Sequence, residues 1–144
     1  MDEPRQLTQG EKMLLTPSYH VFEMYAAHQG ASMVPVDVRS ERYEHAGYSV
    51  PAVSASASVD ATGKLHITLS NANPNQSIPV KAFVRGMKAS QVTGRVLRAN
   101  EMNAHNTFEA PNAVQPAAFS GARLSGEGLE ITMPRMSVVA LEVS

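Results

Sequence analysis

No cysteine occurs in this chain, so no disulfide can staple it. A chain of 144 residues with 43% hydrophobic content has no need of one, because a domain of that size buries a core of its own. The absence suits a reducing compartment and slightly favours the cytoplasm, without establishing either. Charge of one sign is also missing. The formal net charge is −1, which gives no electrostatic reason to expect nucleic acid or an anionic membrane as a partner. No apolar run approaches the length of a membrane span, and Met1 is not followed by a basic and then apolar secretion signal. The glycines never gather into a phosphate loop or a dinucleotide fingerprint.

What is present begins with a helix. Thr16 suits the N-cap, and Pro17 suits the first helical position, where a missing N–H costs nothing. Gly30 supplies the stop. Tyr19, Val21, Phe22, Met24, Tyr25, Ala26 and Ala27 lie between these signals and are apolar around most of the circumference. That pattern predicts a helix buried on several sides, in a short chain that offers it few partners. A short hairpin is expected before it, around Gly10.

From Ser32 onward the helical period disappears, and β-branched residues alternate with polar ones. The predicted strands are Met33–Val38, Ala52–Val59, Leu65–Ser70, Ile78–Arg85, Gln91–Leu97, Leu129–Met133 and Ser137–Val143. Leu65, Ile67 and Leu69 alternate with His66, Thr68 and Ser70, as on a sheet with one dry face. Val138 and Val139 break the alternation, which predicts a strand covered on both sides. Asp60-Ala61-Thr62-Gly63 and Asn71-Ala72-Asn73-Pro74-Asn75 read as turns, as does the glycine-rich segment 121–128. The expected fold is therefore mainly β, an antiparallel β-sandwich, jelly-roll-like, preceded by one α-helix. The connection from Asn100 to Ala122 is long for a turn. Met102, Phe108 and Phe119 are its expected apolar pins, with Asn103 and Asn106 serving its own backbone.

Candidate chemistry is sparse. Thirteen Asp and Glu are present, and none is bracketed by the apolar and aromatic surroundings that make a carboxyl group a general acid. Glu41 and Glu44 fall in a polar connector, and Glu127 and Glu130 flank a strand start. Glycoside hydrolysis would need two carboxyl groups about 5 Å apart for retention, or about 6.5–9.5 Å for inversion. The histidines, at 20, 28, 45, 66 and 105, lack metal-ligand spacing. His20 and His28 stand two helical turns apart with Met24 between them, so both read as structural or surface residues. Ser54, Ser56 and Ser58 form an outward ladder on a strand and no nucleophile elbow. No catalytic, cofactor-binding or metal-binding residue is assigned, and no cofactor is implied.

One resemblance gathers these pieces. The run from Gly10 through Leu14-Leu15-Thr16-Pro17-Ser18-Tyr19-His20-Val21-Phe22 to Tyr25 resembles the end of the catalytic barrel in family fifty-one glycoside hydrolases, the α-L-arabinofuranosidases. Val50-Pro51-Ala52-Val53-Ser54-Ala55-Ser56-Ala57-Ser58, Met102-Asn103-Ala104-His105-Asn106-Thr107-Phe108 and Ser137-Val138-Val139-Ala140-Leu141-Glu142-Val143 agree in the same order. The resemblance implies that residues 1–31 are the tail of a catalytic barrel and residues 32–144 a C-terminal β-sandwich domain. Met1-Asp2-Glu3-Pro4-Arg5 does not match the family's last barrel strand, which points to a truncated or engineered start, and a secretion signal ahead of such a fragment would not be visible. The family's two catalytic glutamates, a nucleophile and an acid/base that work by retention, would sit on barrel strands. No position here matches either glutamate.

Two functions survive. The first is structural: a sandwich that packs against a barrel, belongs to a homo-oligomer through the parent enzyme, and is inactive alone. The second is weak binding of arabino-oligosaccharides. Sugar-binding sandwiches rely on flat rows of Trp or Tyr. This chain has no tryptophan, and Tyr43 and Tyr48 are the tyrosines outside the helix, so support is the favoured reading. Tyr43–Tyr48 and Asn103–Phe108 are the segments where sugar contact is expected if it occurs. The face of Tyr19, Phe22 and Ala26 is expected to self-associate when no barrel covers it.

Overall fold

The computed structural model describes residues 4–126 and 128–144. Met1, Asp2, Glu3 and Glu127, singled out above, lie outside the described residues. The hairpin expected around Gly10 joins β1 (Gln6–Gln9) to β2 (Lys12–Leu15). Helix α1 (Pro17–Tyr25) follows, with Pro17 at its start and Thr16 as its cap. The Thr16 hydroxyl accepts from the Tyr19 N–H at 3.4 Å and donates to the Pro4 carbonyl at 2.8 Å. One side chain thereby fixes both the helix start and the chain ahead of it. A 3-10 turn over Ala26–His28 ends the helical segment, and Gly30 turns away with φ +72°.

Two packed sheets make up most of the rest. The six-stranded sheet contains β3 (Ser32–Val34), β6 (Val53–Val59), β7 (Leu65–Asn71), β9 (Val92–Arg98), β10 (Ala117–Ala118) and β13 (Ser137–Val143), in the spatial order β10-β9-β13-β7-β6-β3. The three-stranded sheet contains β8 (Ile78–Phe83), β11 (Ala122–Ser125) and β12 (Gly128–Met133), in the order β11-β12-β8. A separate hairpin pairs β4 (Arg42–His45) with β5 (Tyr48–Pro51). Every pairing is antiparallel, so the predicted jelly-roll-like sandwich with one helix ahead of it is the fold found.

Period-two alternation builds the core. Leu65, Ile67, Leu69, Val139, Leu141 and Val143 point inward from one sheet and meet Ile78, Leu129, Ile131 and Met133 from the other. Val139, Met133 and Val143 are completely buried. Phe119 packs against this core where the chain crosses from β10 to β11. A Cβ on Gly94 would lie 2.6 Å from Leu141 and 3.4 Å from the Phe119 ring, and one on Gly121 would lie 2.6 Å from that ring. Two glycines therefore make the slot that lets one aromatic ring close the sandwich.

The structure departs from the sequence reading in four places. The strand expected over Met33–Val38 ends at Val34, because Pro35 has no N–H to continue a ladder. The polar connector holding Glu41 and Glu44 contains the β4–β5 hairpin, whose two turn residues, Ala46 and Gly47, both have positive φ (50° and 83°). That is the geometry a two-residue hairpin loop requires. The glycine-rich segment 121–128 is half strand, with β11 over Ala122–Ser125, a turn at Gly126 (φ +55°) and the start of β12 at Gly128. Gly128 is there for close approach, since a Cβ would sit 1.9 Å from the Ala82 carbonyl on β8. The helix, finally, finds a partner within this chain.

Candidate functional site

The outer face of the six-stranded sheet, turned away from the three-stranded one, is where helix and sandwich meet. Met24 is 3% exposed there and clusters with Leu97 and Val114, flanked by Val21, Tyr25, Ala99, Ala104, Val138 and Ala140. Strand β13 is thus covered on both faces, as Val138-Val139 predicted. The expectation of a helix without partners is corrected: one side packs on its own sheet, while Phe22, at 54% exposure, and Ala26 and Ala27 remain open. Arg5 lies over the Phe22 ring at 3.7 Å.

Polar contacts complete this junction. His28 bridges two strands, with Nδ1 2.6 Å from the Ser58 hydroxyl and Nε2 2.9 Å from the Thr68 hydroxyl. Ser58 is 3% exposed and Thr68 is 1% exposed, so the serine ladder faces outward at Ser54 and Ser56 but is covered at Ser58. Burial, and then the neighbouring His66, holds the His28 pKa below its ordinary value. Glu23 on the helix takes a two-pronged contact from the Arg95 guanidinium, at 2.7 and 3.1 Å. Those hydrogen bonds hold the Glu23 carboxyl below its usual range.

Asn106 ties the long connection down. Its amide nitrogen donates to the carbonyls of Leu15 and Val114 at 2.9 and 2.8 Å, and its oxygen accepts from the Val114 N–H at 2.6 Å. Of the expected apolar pins, Phe119 packs against the core and Met102 does not, while Asn106 serves the loop's own backbone at Val114 as expected. Met102 is 72% exposed, whereas Asn106 is 5% exposed. The connection is therefore fastened by a carboxamide to Leu15, at the end of β2 and next to the helix cap, and an apolar plug plays no part at Met102.

The other candidate residues do not converge on a reaction centre. Tyr43 packs partly against the core and lies parallel to His45, with ring centroids 6.4 Å apart. Tyr48 is 80% exposed on the opposing strand. Asn103 and His105 are exposed, and the Asn103 carbonyl contacts the His105 ring at 3.0 Å. Glu41 and Glu44 are exposed as well. Glu130 is bound by Arg123 and carries a lowered pKa for that reason. Asp60 accepts from Thr62, His66 and the Lys64 N–H and is held far below the usual carboxylate range, mainly by the Thr62 and His66 contacts. The perturbed carboxyl groups among the described residues all shift downward, opposite to what a general acid requires. No group of three or more metal-ligating side chains occurs among the described residues.

A β-sandwich wearing one helix on its outer face, with each shifted carboxyl group tied to a hydrogen-bond donor, is an accessory domain in character. The comparisons with known proteins agree. The profile of the family described as the α-L-arabinofuranosidase C-terminal domain matches residues 2–137, and the chain belongs to that family. It is 36% identical over 138 residues to an intracellular exo-α-L-arabinofuranosidase of Bacteroides ovatus, covering 95% of this chain and 27% of that enzyme. Among solved structures, a family 51 arabinofuranosidase from Xanthomonas axonopodis pv. citri superposes with a TM-score of 0.95 at 37% identity, over 97% of this chain and 28% of the other. The arabinose complex of an α-L-arabinofuranosidase from Thermotoga maritima gives 0.82 at 29% identity, over 96% of this chain and 31% of the other. The chain thus spans little more than a quarter of the first two relatives.

The site features that sequence reading missed are pairs distant in the chain. Glu23 and Arg95 stand 72 residues apart, and Asn106 and Leu15 stand 91 apart. No local pattern announces such partners. The one available signal was the break in alternation at Val138-Val139, which marked the covered face without naming what covers it.

Proposed function

We propose that this chain serves as the C-terminal accessory region of an α-L-arabinofuranosidase, with residues 1–31 the tail of a catalytic barrel and residues 32–144 the supporting sandwich. The parent enzyme would release terminal non-reducing α-L-arabinofuranosyl groups from arabinan or arabinoxylan with retention, using barrel glutamates that have no counterpart here. The observation that carries this reading is the half-used helix. Its Met24 side is buried on the sheet, while Phe22 is 54% exposed, and Leu7 (40%) and Met13 (60%) are exposed on the hairpin before it. Large apolar groups left exposed on the helix and on the hairpin before it offer a surface to a partner. A barrel that continues into this helix supplies one, and homo-oligomer contacts of the parent enzyme would build on the same assembly.

The test is twofold. The isolated chain is expected to give no turnover of an aryl α-L-arabinofuranoside above a mock purification. It is also expected to associate with the separately produced barrel portion of a relative, and to self-associate in its absence. Phe22→Ser should weaken both associations. Turnover by the chain alone, or a monodisperse monomer that ignores the barrel, would overturn the reading.

A further inference from the structure

Beside the helix lies a cleft of about 420 Å³, between α1 and the outer face of β7, β13 and β9. Strand register organises its sheet wall. Thr93, Glu142 and His66 form one row across the three strands, and Arg95, Ala140 and Thr68 form the next. Ala140 is the small apolar member of this grid and makes room at its middle. Glu23, Met24 and Ala27 line the helix side. The volume falls in the range of about 300–1,000 Å³ usual for small-molecule sites, which pair an apolar floor with a few convergent polar groups.

The charges say what such a ligand is. Arg95 is paired to Glu23 at 2.7 Å, Lys64 to Glu142 at 2.7 Å, and His66 to Asp60 at 2.8 Å. Both carboxylates that line the cleft, Glu23 and Glu142, are already paired with a cation, so an anion would meet the carboxylates and a cation would meet the guanidinium. A neutral polyhydroxylated molecule suits both, because each hydroxyl donates to a carboxylate and accepts from Arg95 or a threonine. Capacity for this remains: Glu142 Oε2 and His66 Nδ1 make no hydrogen bond among the described residues, since Lys64 uses Oε1 and Asp60 uses Nε2. Partly exposed ion pairs add little to stability, so stability alone does not account for the Glu23–Arg95 and Lys64–Glu142 pairs meeting at this depression.

We propose that this cleft binds a short neutral sugar of one or two pentose rings, held by Glu23, Arg95, Glu142 and Thr93 over the Ala140 floor. Its identity as an arabinoside rests on the function proposed above; its neutral, hydroxyl-rich chemistry rests on the cleft itself. ¹⁵N–¹H correlation spectra of the chain, titrated with L-arabinose and then arabinobiose, test it. The expected result is saturable shifts at the amides of Ala27, Thr68, Gly94 and Ala140, with Tyr43–Tyr48 and Asn103–Phe108 unmoved. Thr93→Val and Glu142→Gln should each weaken binding several-fold while leaving the spectrum dispersed, and Ala140→Leu should abolish it. No shift at high millimolar sugar, the same shifts with sodium chloride alone, or shifts confined to Tyr43–Tyr48 or Asn103–Phe108 would overturn the proposal. The barrel-association assay keeps the two readings apart. Association without sugar shifts rejects the cleft alone, and sugar shifts without association support the cleft and reject the accessory role.

Discussion

The two faces of the six-stranded sheet are held by different physics. The inner face is dry: Val139, Leu141 and Val143 lie at 0–2% exposure against Leu129, Ile131 and Met133. The outer face carries a small apolar cluster around Met24 and depends otherwise on directed contacts, with His28 on Ser58 and Thr68, Glu23 on Arg95, and Asn106 on Leu15 and Val114. Hydrophobic burial is large and indifferent to direction, whereas hydrogen bonds contribute little net energy but demand geometry. The inner face therefore holds the domain together, and the outer face sets where the helix sits.

Substitutions on the two faces should separate these roles. Leu141→Ala on the inner face is expected to cost about 2–5 kcal/mol, as deleting a buried leucine does. It should lower the melting temperature by about 10 °C, at roughly 2–4 °C per kcal/mol for a domain of this size. Met24→Ala is expected to cost about 2 kcal/mol, at the low end of the same range, with the loss concentrated in amide protection of α1. Equal losses of protection in α1 and β12 would erase the distinction between the faces.

Asn106→Ala strips the partner from the Val114 N–H and two carbonyls, at a cost of about 1–3 kcal/mol. Its sharper signature is local. Limited proteolysis should cut between residues 100 and 116 well before the sandwich melts, and a cleavage rate equal to that of the unaltered chain would remove Asn106 from its fastening role.

The smallest effect concerns pH. His28 has a folded-state pKa below its ordinary value of 6.5, so the unfolded chain takes up the proton more readily. The stability this group contributes is full above that value and is lost as pH falls through it toward the lower folded-state pKa. Thermal melts between pH 7.5 and 5.5 should show this decline, and His28→Gln should flatten it. An unchanged slope in the variant would assign the acid sensitivity elsewhere, His20 being the first place to look because burial lowers its pKa in the same direction.

The contrast between the faces also explains what the sequence disclosed. Alternation at Leu65-His66-Ile67-Thr68-Leu69 revealed the dry face, because the inward set must be apolar without interruption. Thr16, Pro17 and Gly30 marked the helix because capping is local chemistry. The β4–β5 hairpin escaped notice since Ala46 replaces the Asn or Asp that usually announces such a turn. Strand β11 was hidden by flanking glycines, of which Gly121 and Gly128 serve close packing and Gly126 the turn. Among the outer-face contacts, Asn106 on Val114 spans eight residues of one loop and fits the backbone role expected of that side chain; the others could not be read, as each joins residues whose proximity exists only after the sheet has formed.

One consequence of the Asn106 fastening reaches beyond stability. Each of its three bonds ends on main chain: two carbonyls and one N–H. Main-chain groups are the same whatever side chain a residue carries, so replacing Leu15 or Val114 leaves the bonded groups in place. The burden of invariance falls on a single carboxamide. Sequences could drift on both sides of this junction and still meet in the same way, provided that one asparagine stays.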